Sequence, residues 1–249
     1  MNISVPSPTS LTSNVSAAIL AGGFGTRLQP VVSDKPKIMA DVRGRPFITY
    51  LLDQLSDLGI CEVVLCLGYM AEMVIQQLGR SYGSMRLRYS VEDKPAGTGG
   101  ALGLALPLFT HESVLVMNGD SYFGTNLDAF VRWYFTVGAK AGILLAQVQD
   151  TTRYGSVDLD TNGGIAAFKE KTASEGAGWI NAGVYMLAKE VFNLLPAGDI
   201  FSLERQLFPA LIGKGLLGFP AEGRFIDIGT PESYVRAEAF FASNQMEIT

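Results

Sequence analysis

The sequence predicts an α/β fold with a mixed, mostly parallel sheet and a small antiparallel platform. Two observations carry this. Short apolar runs alternate with helical patterns and glycine-rich turns up to about residue 137, the rhythm of parallel βαβ units. Beyond that point, runs at 141–148, 155–159, 164–168 and 178–187 follow one another with short connections and few helices. That pattern fits antiparallel strands forming a lid or platform beside the main sheet.

The chain has 249 residues, 48% of them hydrophobic and 17% charged, enough to bury one sizeable core. One domain is expected over 17–243, after a disordered extension at 1–16 and before a tail at 244–249. The extension is rich in Ser, Thr and Pro and lacks the cationic start and apolar centre of a signal peptide. No apolar run approaches the ~20 residues that span a bilayer. The expected compartment is the cytoplasm, with no membrane partner. A net charge of −5 argues against a nucleic-acid surface, so an anionic ligand needs local cations or a metal. With His111 the lone histidine, a histidine zinc site or a Ser-His-Asp triad has no basis, and His111 is expected in an exposed loop. Cys61 and Cys66, beside or within an apolar run, are expected as buried reduced thiols.

The first strand is expected at 17–21, apolar throughout and therefore buried on both faces. It runs into Gly22-Gly23-Phe24-Gly25-Thr26-Arg27-Leu28. Glycines here can take positive φ and bare their N–H groups to an anion, and the Arg27 guanidinium suits phosphate. The third glycine of a dinucleotide fingerprint is replaced by Leu28, and no Lys completes a P-loop. A tight strand-to-helix turn is the plainer reading, but it needs fewer glycines.

Lys35 and Lys37 flank Pro36, which keeps this segment out of a helix; Lys35 is expected as a solvated loop lysine. A helix follows at 46–59, a strand at 62–67, a helix at 69–78 and a strand at 85–91. Then Glu92 leads into Gly97-Thr98-Gly99-Gly100, a second glycine-rich loop before a helix whose N-terminus offers unpaired N–H groups. The strand at 113–117 stops at Asn118-Gly119-Asp120. A carboxylate at a strand's carboxyl end lies where open α/β sheets bind ligands, and it suits Mg2+; an Asx turn is the alternative. A helix at 202–212 with Ser202 as N-cap precedes a second Asp-bearing junction, Asp227-Ile228-Gly229-Thr230-Pro231, and a last helix to 242.

In this order the motifs resemble those of the sugar-1-phosphate nucleotidylyltransferases over about residues 16–243. The likeness rests on the first glycine loop, Pro36-Lys37, Gly97-Thr98-Gly99-Gly100, Asn118-Gly119-Asp120, Glu170-Lys171, Asn181-Ala182-Gly183 and the Asp227 junction. It implies a three-layer α/β/α Rossmann-like nucleotidyltransferase fold. It also implies transfer of a nucleoside monophosphate from an NTP to a sugar 1-phosphate, with release of pyrophosphate. Within the family the chain looks most like the branch that couples GTP to D-glycero-α-D-manno-heptose 1-phosphate. Mannose, glucose or N-acetylmuramate 1-phosphate with another NTP, and a regulatory subunit without turnover, are the alternatives.

By that resemblance Leu20, Ala21, Gly22, Gly23, Gly25, Thr26 and Arg27 hold the nucleotide, with Glu92, Gly97, Thr98, Gly99 and Gly100 on its base and ribose side. Arg27, Lys37 and Asp120 are the catalytic set, and Asp120 with Asp227 hold Mg2+, the one implied cofactor. Asn118, Tyr154, Gly155, Glu170, Lys171 and Asn181 belong to the sugar-phosphate side. Ile38, Asp41 and Thr172 depart from the family pattern without removing a charged group, so they touch sugar choice rather than chemistry. Monomer and homo-oligomer are both open.

Overall fold

The computed structural model describes residues 12, 14–169, 176–195 and 200–243. In chain order, β1 (Val15–Ala21) leads to the paired β2 (Asp41–Val42) and β3 (Arg45–Pro46), then α1 (Ile48–Asp57), β4 (Glu62–Leu67) and α2 (Ala71–Leu78). Next come β5 (Ser81–Tyr82), β6 (Met85–Val91), α3 (Gly97–Ala105), β7 (Ser113–Asn118), β8 (Ser121–Gly124) and α4 (Leu127–Val137). The second half holds β9 (Ala141–Val148), β10 (Ser156–Leu159), β11 (Ile165–Lys169), β12 (Gly178–Ala188), α5 (Phe208–Leu211), β13 (Leu216–Ala221), β14 (Arg224–Asp227) and α6 (Pro231–Ser243).

Among the described residues, eight strands form one sheet in the order β13-β9-β12-β7-β1-β4-β6-β5. β1 lies parallel to β4 and β7, and β6 parallel to β4, as the alternating first half predicts. β12 enters antiparallel to both β7 and β9, so the sheet is mixed.

Successive side chains of β1 go to opposite faces, as a strand requires. Ala17 and Ile19 join a core with Leu51 and Leu52 of α1, Val74 of α2, Phe130 of α4 and Phe241 of α6. Ala18 joins a second core with Leu102 of α3, Leu211 of α5 and Val157 and Ile165 of the β10–β11 hairpin. Three layers result, and the apolar continuity of β1 reflects burial on both faces. No helix among the described residues is long and apolar enough to cross a membrane.

Several expectations need correction. β9 and β12 belong to the main sheet; of the four strands assigned to the platform, only β10 and β11 pair separately. Extended pairing beside β7 buries β12, and that depends on partners distant in sequence. Val15 and Ser16, assigned to the disordered extension, lie in β1, where Ser16 Oγ accepts from the Thr110 and His111 backbone N–H groups. Cys61 is exposed while Cys66 is buried, and both are free. The helix expected at 202–212 is a π-helical turn over Leu203–Leu207 followed by α5, with Ser202 capping through its side chain as expected. The β8–β14 ribbon was not foreseen.

Candidate active site

A cavity of about 300 Å3 opens at the carboxyl ends of β1, β6 and β7, where parallel α/β sheets bind ligands. Its first wall is the end of β1 and the glycine loop: Leu20, Ala21, Gly22, Gly23 and Phe24. Glu92, Pro95, Gly97, Thr98 and Ala101 form a second wall, and Lys37, Ile38, Asn118 and Asp120 a third.

The glycines act by different means than the sequence suggests. Of the three in the first loop only Gly25 has positive φ, at 61°. A Cβ on Gly25 would meet the Lys37 Cβ at 3.2 Å, so the bare position lets Lys37 cross the loop. Gly22 is needed for proximity, since a Cβ there would lie 2.7 Å from Glu92 Oε1. Glu92 is anchored by the Ala96 N–H, which donates to Oε2 at 3.0 Å. Its burial pushes the carboxyl up, and that one N–H partly offsets the rise.

Having crossed the loop, Lys37 donates to Asp120 Oδ2 at 2.5 Å. Ser121 Oγ donates to Oδ1 at 3.2 Å. Burial by itself would raise the Asp120 carboxyl; the Lys37 charge, with both hydrogen bonds, outweighs it and holds the group below its usual range. Lys35 instead pairs with exposed Asp41 at 2.6 Å, away from the cavity.

Asp227 reaches the same region through the β8–β14 ribbon. Asp227 pairs with Ser121, and the Ile228 N–H donates to the Asp120 carbonyl at 2.9 Å. The carboxylate accepts from Gly229 N–H and Tyr154 OH, each at 2.8 Å, with Arg153 3.5 Å away. Tyr154 thus holds Asp227 rather than lining the cavity, and its hydroxyl is pushed up to about 12 by burial and the Asp227 charge. Gly155, next in chain, closes the preceding turn through its N–H to Thr151 O. Arg27 is exposed with Thr26, and its Nη2 would lie 3.5 Å from a Cβ on Gly229, so it borders the Asp227 junction.

The second glycine run behaves differently from expectation. Helix α3 begins at Gly97 itself, and the N–H groups of Gly99 and Gly100 donate to Phe201 O at 2.8 and 3.2 Å. A Cβ on Gly97 or Gly99 would strike Phe201, so these glycines serve packing against 201–204. Two of the donors expected to face a nucleotide are therefore already used.

Behind Thr98 and Asn118 runs a polar chain that sequence reasoning missed. Thr98 Oγ1 and Ser202 Oγ donate to Glu204 Oε2 at 2.8 and 2.9 Å, and Tyr185 OH donates to Oε1 at 3.2 Å. Asn181 and Asn118 donate through Nδ2 to the Tyr185 oxygen at 3.0 and 3.4 Å. The sequence marks Ser202 as a helix N-cap, but nothing local ties 201–204 to Thr98. Phe24 was also passed over, although an exposed aromatic between glycines, 5.4 Å from the Tyr69 ring, is an odd resident for a mere turn. Glu170 and Lys171 lie outside the described residues.

Residues 16–244 match the family model described as nucleotidyl transferase. The chain belongs to that family. This nucleotidyl transferase is 36% identical over 223 residues to D-glycero-alpha-D-manno-heptose 1-phosphate guanylyltransferase of Aneurinibacillus thermoaerophilus, covering 89% of this chain and 96% of the relative. It is 33% identical to the mannose-1-phosphate guanylyltransferase of Mycobacterium tuberculosis, across 92% of this chain and 65% of the relative. The crystal structure of HddC from Yersinia pseudotuberculosis complexed with GMP-PN superposes with a TM-score of 0.80 at 33% identity, covering 91% of this chain and 99% of that one. The mixed, mostly parallel sheet is thus the fold of this nucleotidyl transferase and of its solved neighbour.

Proposed function

We propose that the protein is a Mg2+-dependent guanylyltransferase that couples GTP to D-glycero-α-D-manno-heptose 1-phosphate and releases pyrophosphate. The observation that carries the reading is the Lys37–Asp120 pair at one side of a cavity whose other sides are a glycine loop and the start of α3. The relatives' names support guanylyl transfer to a manno-configured sugar 1-phosphate.

The sugar phosphate is an anionic nucleophile, so no base is required, which suits a chain whose lone histidine, His111, lies in the connector before β7. Its oxygen attacks the α-phosphorus in line, the α–β bridge breaks, and the electron pair leaves on pyrophosphate. Catalysis is then positioning and charge neutralisation. The glycine loop and Thr26 hold the phosphates, Arg27 and Lys37 offset their charge, and Glu92 and Thr98 face the base and ribose. Asn118 and Asn181 serve the sugar-phosphate side.

Asp120 fits a hard cation: each of its oxygens has one protein donor and lone pairs to spare. Asp227 is joined to it by the bond from the Ile228 N–H to the Asp120 carbonyl. To serve as a second ligand, Asp227 would have to give up one of its partners, which are Gly229 N–H and Ser233 Oγ on Oδ1 and Tyr154 OH and Arg153 on Oδ2. Among the described residues no group of three or more His, Cys, Asp or Glu could hold a metal. Two carboxylates plus phosphate oxygens are the set Mg2+ accepts. When bound it would supply Lewis-acid neutralisation of phosphate charge.

The test is pyrophosphate release from each of four NTPs with heptose, mannose, glucose and N-acetylmuramate 1-phosphates. GTP with the manno-heptose phosphate should give the highest kcat/KM. Equal or better turnover with UTP or dTTP overturns the guanine assignment, and preference for mannose 1-phosphate overturns the heptose one.

A further inference from the structure

Asp227 is a crowded carboxylate. Ionised, such a group offers about four lone-pair positions, shared between its two oxygens. The Gly229 N–H reaches Oδ1 at 2.8 Å, and Ser233 Oγ stands 3.3 Å from the same atom. Tyr154 OH donates to Oδ2 at 2.8 Å, and Arg153 Nη2 completes the set at 3.5 Å. A cation that takes this carboxylate as a ligand must displace one of these partners.

They are not equally easy to move. Gly229 lies in the turn that follows Asp227, and Ser233, wholly buried, in the first turn of α6. Both travel with the carboxylate. The Oδ2 pair comes instead from the connection between β9 and β10. Within it Tyr154 is tied down. Its N–H donates to Thr151 O at 3.0 Å, and its ring packs edge-on against Phe225 at 5.4 Å. Arg153 is the loose member. Its side chain keeps 36% of its accessible surface and its contact is the longest of the set. An ion pair so open to water contributes little. The guanidinium also lies 5.4 Å from the Tyr154 ring, which keeps a hold on it once the carboxylate is taken.

We propose that Arg153 is a displaceable counterion of Asp227, yielding its place on Oδ2 to the divalent cation and so setting how tightly that cation is held. The proposal rests on the metal reading above. Arg153 neutralises the carboxylate until the exchange, and Tyr154 and Gly229 keep it oriented throughout.

The experiment follows the EPR signal of free Mn2+ titrated into the full chain holding a non-hydrolysable GTP analogue, with the analogue alone as reference. Arg153→Met keeps a long side chain over the Tyr154 ring and removes the charge. It should tighten Mn2+ binding roughly threefold, the worth of an exposed ion pair. A mere loss of positive charge predicts the same for Arg236, which acts on Tyr154 through space but is not a partner of Asp227. Arg236→Met should leave binding nearly unchanged, and Tyr154→Phe should not tighten it. Equal tightening by both arginine variants, no change with Arg153→Met, or tightening by Tyr154→Phe would overturn the exchange and leave the metal reading standing. A wild-type complex that holds Mn2+ no better than the analogue alone, unmoved by Asp120→Asn or Asp227→Asn, would overturn the metal reading, and this one with it.

Discussion

Lys37 Nζ meets Asp120 Oδ2 at 2.5 Å, closing a gap of 83 residues between a loop cation and the carboxyl end of a central strand. Neither group is well solvated: the side chains keep 16% and 30% of their accessible surface. A paired charge in such a place is expensive to orphan, and it lines the cavity at the carboxyl ends of β1, β6 and β7.

Lys37→Ala should lower kcat by roughly two orders of magnitude, the usual cost of removing one donor aimed at developing charge. Lys35→Ala should stay within about twofold, because its partner Asp41 is an exposed surface residue. Initial rates of pyrophosphate release compare the two, and the reverse order would mean that the wrong lysine has been assigned.

Asp120→Asn should cut kcat by about two orders of magnitude or more with the fold retained. Near-normal turnover at saturating Mg2+ would overturn the metal assignment. The same residue has a pH signature. Its folded pKa lies below the unfolded value, so its contribution to stability is complete above the ordinary carboxylate range and is lost as pH falls through the depressed value. The difference in Tm between wild type and Asp120→Asn should therefore be constant near neutrality and shrink on acidification.

Gly183→Ala should destabilise the protein by about 1–3 kcal/mol, since it combines a positive φ with collision against Asn118. Gly213→Ala isolates the conformational part: φ is 71° and nothing lies within 4 Å of the added Cβ. Urea unfolding of both should rank Gly183→Ala lower. Equal losses would mean that the Asn118 contact relaxes freely.

Thiol titration with Ellman's reagent at pH 8 should count one fast cysteine in the native protein and two in denaturant. Burial, helped by the Glu92 charge, pushes the Cys66 thiol up to about 12, whereas Cys61 is exposed. Two fast thiols under native conditions would contradict the packing of β4 against α3.

The parts of the site that could be read in advance are those encoded in contiguous residues. The end of β1, the glycine loop and the Asn118-Gly119-Asp120 turn each carry their own signature, and the structure brings all three to one cavity. Where reading failed, the cause was usually a partner elsewhere. Gly22 was read as conformational, but its bareness answers to Glu92, seventy positions on in the sequence. Gly99 and Gly100 were read as free donors, but Phe201 takes both N–H groups. Tyr154 is expected on the sugar-phosphate side, and nothing local shows that its hydroxyl goes to Asp227.

By itself, then, the sequence determined the alternation that builds β1, β4, β6 and β7, and the glycine loop and charged residue types that end up at its carboxyl edge. These follow from local sterics, periodicity and charge. Only the tertiary structure decided that β12 joins the main sheet with a bulge at Gly183, and that Lys37, already preferred over Lys35 by resemblance, pairs directly with Asp120. It also decided that Glu204, 106 residues from Thr98, stands behind the cavity wall. Those outcomes depend on which surfaces pack together, and burial rewards a contact without regard to how far apart its residues lie in the chain.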